Sequence, residues 1–146
     1  LALVPAVQAI TTADFSIPNS ATTDIQFAGA DVFDTDSMHT PGLNATGSKL
    51  IATTAGTYMI SGCVLIAANA TGRRYIEIIR NGAGLVAIAN YNALASGPHY
   101  LNICTIVKMA ANDYVTLAIF QDSGGALAAT YVAGSTPVFS MVRIGP

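Results

Sequence analysis

Three aspartates, Asp31, Asp34 and Asp36, fall close together, with Asp24 upstream of them. Carboxylate oxygens at alternate positions are the hard donors that calcium takes. No bidentate Glu follows, and no Gly stands where a calcium loop bends sharply, so a solvated acidic loop is the plainer reading. His39 and His99 are the only histidines. Each lies next to Thr-Pro or Gly-Pro, which places both in surface loops. A general base needs a nucleophile and an orienting group beside it. Ser37 and Ser96 are present, but no G-x-S-x-G elbow is. Zinc would need more His or Cys at short spacing than this chain has. Arg73, Arg74 and Arg80 flank Glu77. Paired guanidiniums can clamp a carboxylate, but a strand-end ion pair or a contact across a subunit interface is the simpler reading. Asn81-Gly82-Ala83-Gly84 and Gly124-Gly125 have neither the Lys nor the following helix of a phosphate loop, so they read as turns. Glu77 and Asp113 are a conceivable carboxylate pair for glycoside hydrolysis, yet no motif points there. The chain is read as no enzyme, with no catalytic residue, cofactor or metal.

Asn44-Ala45-Thr46 and Asn69-Ala70-Thr71 match the N-glycosylation pattern, which matters only in a eukaryotic secreted protein. Chance accounts for both in a chain rich in Asn and Thr. The two cysteines, Cys63 and Cys104, form no C-x-x-C. Two free, buried thiols are the first reading and a single disulfide the second.

The elements that position these residues follow from composition and pattern. The chain has 146 residues, one domain's worth. It is 52% hydrophobic and 10% charged, with a net charge of -2 and a mean hydropathy of +0.52. A disordered chain is excluded, because disorder needs low hydrophobicity and high charge. Six Lys and Arg residues neutralise too few phosphates for a nucleic-acid binder. Charge-free stretches run over residues 50–72 and 81–107, but Gly, Asn, Ser and Pro break both, so no membrane span is assigned. Typical soluble domains carry about 25% charged residues. A surface this poor in charge is tolerated when another subunit covers it.

Short runs of Thr, Val, Ile and Tyr alternate with turn residues, and no 3.6-residue periodicity appears. The pattern predicts strands over 7–15, 24–28, 49–52, 57–67, 73–80, 85–91, 100–109, 114–121 and 138–144, with an extended piece near Val32-Phe33. Asn81-Gly82 marks a hairpin. Ile76 and Ile78 share one face, as do Val115, Leu117 and Ile119. Residues 59–66 are apolar on both faces, which predicts a sheet core on one side and a neighbouring subunit or loop on the other. The opening LALVPAVQA ends in the small-x-small pattern of a secretory leader's tail, but a processed start leading into a first strand is the simpler expectation. The class is all-β: a single jelly-roll β-sandwich of about 8–10 strands over residues 1–146, with an N-terminal arm at about 1–12.

In this setting several segments resemble the globular heads of the complement-1q and tumour-necrosis-factor superfamily. Thr53-Thr54-Ala55-Gly56-Thr57-Tyr58-Met59-Ile60-Ser61 is similar to the family's "aGxYxxS" strand. Arg73-Arg74-Tyr75-Ile76-Glu77-Ile78-Ile79-Arg80-Asn81-Gly82 resembles the strand that follows. Lys108-Met109-Ala110-Ala111-Asn112-Asp113-Tyr114-Val115 resembles "lkxGDxVxL", with Ala111-Asn112 where Gly is usual. Phe139-Ser140-Met141-Val142-Arg143-Ile144 resembles the last strand. Ser16-Ile17-Pro18-Asn19 and Phe33-Asp34-Thr35-Asp36 look like versions in phage and bacterial members. The likeness covers nearly the whole chain, although the aromatic content is low and Trp is absent.

The resemblance implies a complement-1q/TNF-like homotrimer that buries one apolar sheet face around a threefold axis. Tyr58, Tyr100 and Tyr114 are the candidate interface aromatics. It also implies that the strands of Cys63 and Cys104 are neighbours, which leaves a cross-strand bond open. With no collagen or coiled-coil stem in the sequence, the expected role is a non-enzymatic structural protein of a phage virion surface. It would decorate the capsid or form a fibre knob, with capsid or other virion proteins as partners. The alternative is a head that binds a host receptor or carbohydrate through loops 38–48 and 93–99.

Overall fold

The computed structural model describes residues 3–41 and 48–146. Among them the chain forms twelve strands and no helix. They are β1 (Ala6–Ile10), β2 (Phe15–Ile17), β3 (Thr23–Asp24), β4 (Phe33–Asp34), β5 (Leu50–Ile51), β6 (Gly56–Ile66), β7 (Asn69–Arg80), β8 (Gly84–Leu94), β9 (His99–Met109), β10 (Tyr114–Gln121), β11 (Leu127–Thr130) and β12 (Val138–Gly145).

The strands build two antiparallel sheets. In the larger, seven-stranded sheet β6 is the hub. One edge of β6 pairs with β9 along its full length, while the other is shared by β12 and β11. The order then continues through β1 to β4 on one branch and to β2 on the other. In the five-stranded sheet the order is β8, β7 and β10, with β3 and β5 sharing the far edge of β10. The all-β jelly-roll sandwich anticipated from the strand pattern is the fold.

The core lies between the sheets and follows the period of two along each strand. Val7, Tyr58, Ile60, Val64, Leu101, Phe139 and Met141 face it from the large sheet. Ile76, Ile78, Val115, Leu117 and Ile119 face it from the small one. Phe27 stacks on Phe139 with ring centroids 5.7 Å apart. Gly62 lets the sheets approach, since a Cβ there would come within 2.6 Å of the Leu117 side chain.

Several boundaries differ from expectation. The expected first strand breaks into β1 and β2, because the chain turns at residues 11–14 to reach a different neighbour. β11 was not legible: Leu127-Ala128-Ala129-Thr130 is small and short, and it pairs with β2 and β6. Residues 6–10 of the expected arm are hydrogen-bonded between β12 and β4 of their own chain. That leaves this stretch no free edge for a neighbouring sheet. The Asn44-Ala45-Thr46 motif and most of loop 38–48 lie outside the described residues.

Candidate functional site

The residues first considered for chemistry are occupied by structural bonds. The Asp34 carboxylate accepts the backbone N–H groups of Asp36, Met38 and His39 at 3.2, 2.9 and 2.9 Å. This turn seats Met38 in the core. Asp36 accepts the Thr53 hydroxyl. Asp31 lies 2.7 Å from Nδ1 of His39. The acidic loop therefore spends these oxygens on its own backbone and neighbours. Among the described residues, no cluster of three or more His, Cys, Asp and Glu is arranged to hold a metal.

The histidines correct their surface-loop reading. His39 is buried, made tolerable by its carboxylate partner. His99 opens β9, and its ring packs edge-on against Tyr91 at 5.2 Å. The arginines separate. Arg73 pairs with Asp122 through Nε and a terminal nitrogen at 3.1 and 3.0 Å, the strand-end ion pair anticipated for this cluster. That pair holds Asp122 below the usual carboxylate range, led by the backbone N–H of Arg73 and then by its guanidinium. Arg74 is buried and donates to the carbonyls of Thr71, Arg73 and Asn69. Burial pushes its guanidinium down. Asp113 bonds Asn81 rather than approaching Glu77.

What the fold leaves open is a surface: the face of the large sheet turned away from the core. The register lays it out in rows. Ile106 stands opposite Met59, Met59 opposite Val142, and Val142 opposite Ala6. The next row runs from Cys104 through Ser61 and Ser140 to Gln8 and Phe33. The third runs from Asn102 through Cys63 and Val138 to Ile10. None of these thirteen side chains is a Lys, Arg, Asp or Glu. Ile106 is 61% and Met59 40% exposed. Gln8 Nε2 donates to Ser140 Oγ at 3.1 Å, which uses polar groups of the middle row on each other. Because Ser61 and Ser140 are small, the middle of the face sinks into a depression of about 420 Å³ bordered also by Cys63, Cys104 and Asn102. At the edge of the face the Tyr91 hydroxyl donates to the Asn102 carbonyl and accepts its N–H, at 2.8 and 3.0 Å. That closes β8 onto β9 without using the face itself.

Of the three tyrosines considered for an interface, Tyr100 alone belongs to this face, opposite Leu65. Tyr58 is in the core-facing phase of β6 and has no exposed surface to offer. Its hydroxyl donates to the Thr54 carbonyl at 2.6 Å. Tyr114 lies on β10 of the other sheet, with the Lys49 ammonium 4.2 Å from its ring centre. Both thiols are free. Their strands are neighbours, but the register pairs Cys63 with Asn102 and Cys104 with Ser61. They are diagonal, not opposite, and Cys104 is exposed rather than buried. The signal that could have found the face is the alternate set Tyr100, Asn102, Cys104 and Ile106 on β9, which stays uncharged until Lys108 at the strand's end.

No protein-family model matches the chain, and no curated protein matches its sequence. Solved structures do match. The chain superposes on murine APRIL, crystallised at pH 5.0, with a TM-score of 0.71 at 11% identity, covering 97% of this chain and 100% of that one. It superposes on Eiger TNF from S. frugiperda with a TM-score of 0.67 at 13% identity, covering 97% and 93%. The chain thus has a jelly roll of the tumour-necrosis-factor type.

Proposed function

We propose that this chain is a non-enzymatic head domain that assembles as a homotrimer through the outer face of its large sheet. The observation that carries the reading is the three uncharged rows, which place exposed Ile106 and Met59 beside Val142 and Ala6. Apolar surface of this kind is stabilised when a partner removes it from water, at about 25 cal/mol per Å² before association costs. A second copy is the fitting partner because a closed ring of identical chains hides the same face on every protomer. The likeness to tumour-necrosis-factor folds and the low charge of the chain support the same assembly.

In our reading the trimer is a structural component on the surface of a phage virion, as capsid decoration or as a fibre knob. Support comes from the likeness of Ser16-Ile17-Pro18-Asn19 and Phe33-Asp34-Thr35-Asp36 to phage and bacterial members, and from acidic and histidine groups committed to holding the loop rather than to catalysis.

Light scattering after size exclusion tests the assembly. The expected mass is three times the 15.0 kDa chain, and Ile106→Asp shifts it to a single chain. A well-folded lone protomer at micromolar concentration overturns the reading. Cosedimentation of the trimer with empty capsids tests the virion role. Saturable glycan or host-cell binding without capsid binding assigns the trimer to recognition instead.

A further inference from the structure

We propose that the bend between β1 and β2 holds a binding site for one neutral pyranose unit of a carbohydrate. One protomer builds the whole site, so it does not depend on the trimer reading.

The bend spans residues 11–14, where the chain leaves β12 to pair with β11. The segment after β3 returns beside it, and the Gly29 N–H donates to the Ile10 carbonyl at 3.1 Å. Residues 11–15 on one side, with Gln26 and Ala28 on the other, line a pocket of about 410 Å³. Pockets of this size take small molecules.

Three parts of the lining select the ligand. Thr11 is 3% exposed, and its Oγ1 has no hydrogen-bond partner. A buried hydroxyl left unpaired is costly, and a ligand that brings its own hydroxyl groups to the pocket relieves that cost. Asp14 Oδ1 accepts the Tyr131 N–H at 2.8 Å, which pins the carboxylate to the chain just after β11. Its Oδ2 accepts no hydrogen bond among the described residues, so it is left to accept from a donor. Phe15 is half-buried against the core and supplies an aromatic ring.

These parts exclude most ligand classes. Asp14 is the one charged residue of the lining, so phosphates and sugar acids are repelled. A purely apolar ligand leaves Thr11 and Asp14 unsatisfied. An alkylammonium satisfies Asp14 but offers the Thr11 hydroxyl no acceptor. A neutral pyranose meets all three demands. Its C–H face packs on an aromatic ring, one hydroxyl of its rim donates to Asp14 Oδ2, and another accepts from Thr11 Oγ1.

The experiment follows the amide resonances of the isotope-labelled full chain. The probes are the methyl glycosides of glucose, galactose, mannose and N-acetylglucosamine, with tetramethylammonium as the cationic control. At least one glycoside is expected to give saturable shifts centred on residues 11–15 and 26–28, with a Kd of about 1 mM for a ligand of this size. Asp14→Asn keeps an acceptor for the Tyr131 N–H and is expected to weaken binding at least about fivefold. Thr11→Val removes the unpaired hydroxyl. It is expected to raise the melting temperature of the free chain while weakening the glycoside by a similar factor. Shifts with tetramethylammonium alone, no saturable response at the bend to any of the four glycosides, or unchanged affinity in both variants overturns the proposal. None of these outcomes bears on the mass of the assembly, which tests the trimer separately.

Discussion

At the scale of single residues, the decisive positions are those where chemistry was bent to packing. Gly62 shows this best. It lies in the core-facing phase of β6, and a Cβ there would come within 2.6 and 2.8 Å of the two Leu117 methyls. Gly62→Val is expected to destabilise the fold by about 2–3 kcal/mol through overpacking, measured by urea unfolding. Glu77 shows the electrostatic side. Its row on the small sheet contains Ala118, which is buried, and Ile88. Burial pushes the Glu77 carboxyl up, so the folded chain holds this proton more tightly than the unfolded one. The group's contribution is then present below the ordinary glutamate range and is lost as pH rises through the raised value. Glu77→Gln is expected to raise the urea midpoint at pH 7, with the gain vanishing in acid. An equal gain at both pH values would contradict the assignment.

At the scale of elements, two turns at one end of the sandwich are tied together. The β7–β8 turn places Asn81 at φ 51° and Gly82 at φ 78°, both left-handed, as an Asn-Gly hairpin turn requires. Asn81 Nδ2 donates to Asp113 Oδ1 at 2.8 Å, and its Oδ1 accepts the N–H of Tyr114 at 2.9 Å. Asp113 also accepts the Ala110 N–H at 2.9 Å, which shapes the turn between β9 and β10. The Asn81 bond, and then that backbone bond, hold the Asp113 carboxyl below the usual range. Asn81→Ala loses both side-chain bonds and places a less tolerant residue at positive φ. A loss of about 1–2 kcal/mol is expected, and Asn81→Gly, which relieves only the backbone, recovers part of it. Equal stability of Asn81→Ala and the parent chain by thermal and urea unfolding would show that the tie carries no energy.

For the whole molecule, the space between the sheets and the outer face of the large sheet have different roles, and paired substitutions separate them. Leu117 is wholly buried between the sheets. Leu117→Asp buries an unpaired carboxylate, a penalty of several kcal/mol, and is expected to prevent folding. Ile106→Asp puts the same charge on the outer face, where the single protomer leaves it in water. It is expected to keep a strand-rich circular dichroism spectrum and a cooperative melt while the mass drops to one chain. If both variants behave alike, the outer face is not distinct from the core in the way the rows imply.

Alternation and turn chemistry in the sequence were sufficient for the all-β class, for most strand positions and for the hairpin at Asn81-Gly82, because these depend on neighbours in the chain. The double apolarity of residues 59–66 predicted cover on both sides of β6; within the chain Leu65 and Ile66 are covered, while Met59 is exposed. Which residues share the outer face was not legible. It depends on the register of five strands drawn from the ends and the middle of the chain, and a slip of one residue would exchange every side chain between core and surface. Tyr58 and Tyr100 have the same chemistry and opposite fates for that reason alone. His39 was equally hidden, since its burial depends on Asp31 meeting it across a folded turn. Local pattern decided what the strands are; only the tertiary pairing decided which uncharged side chains gather into one surface.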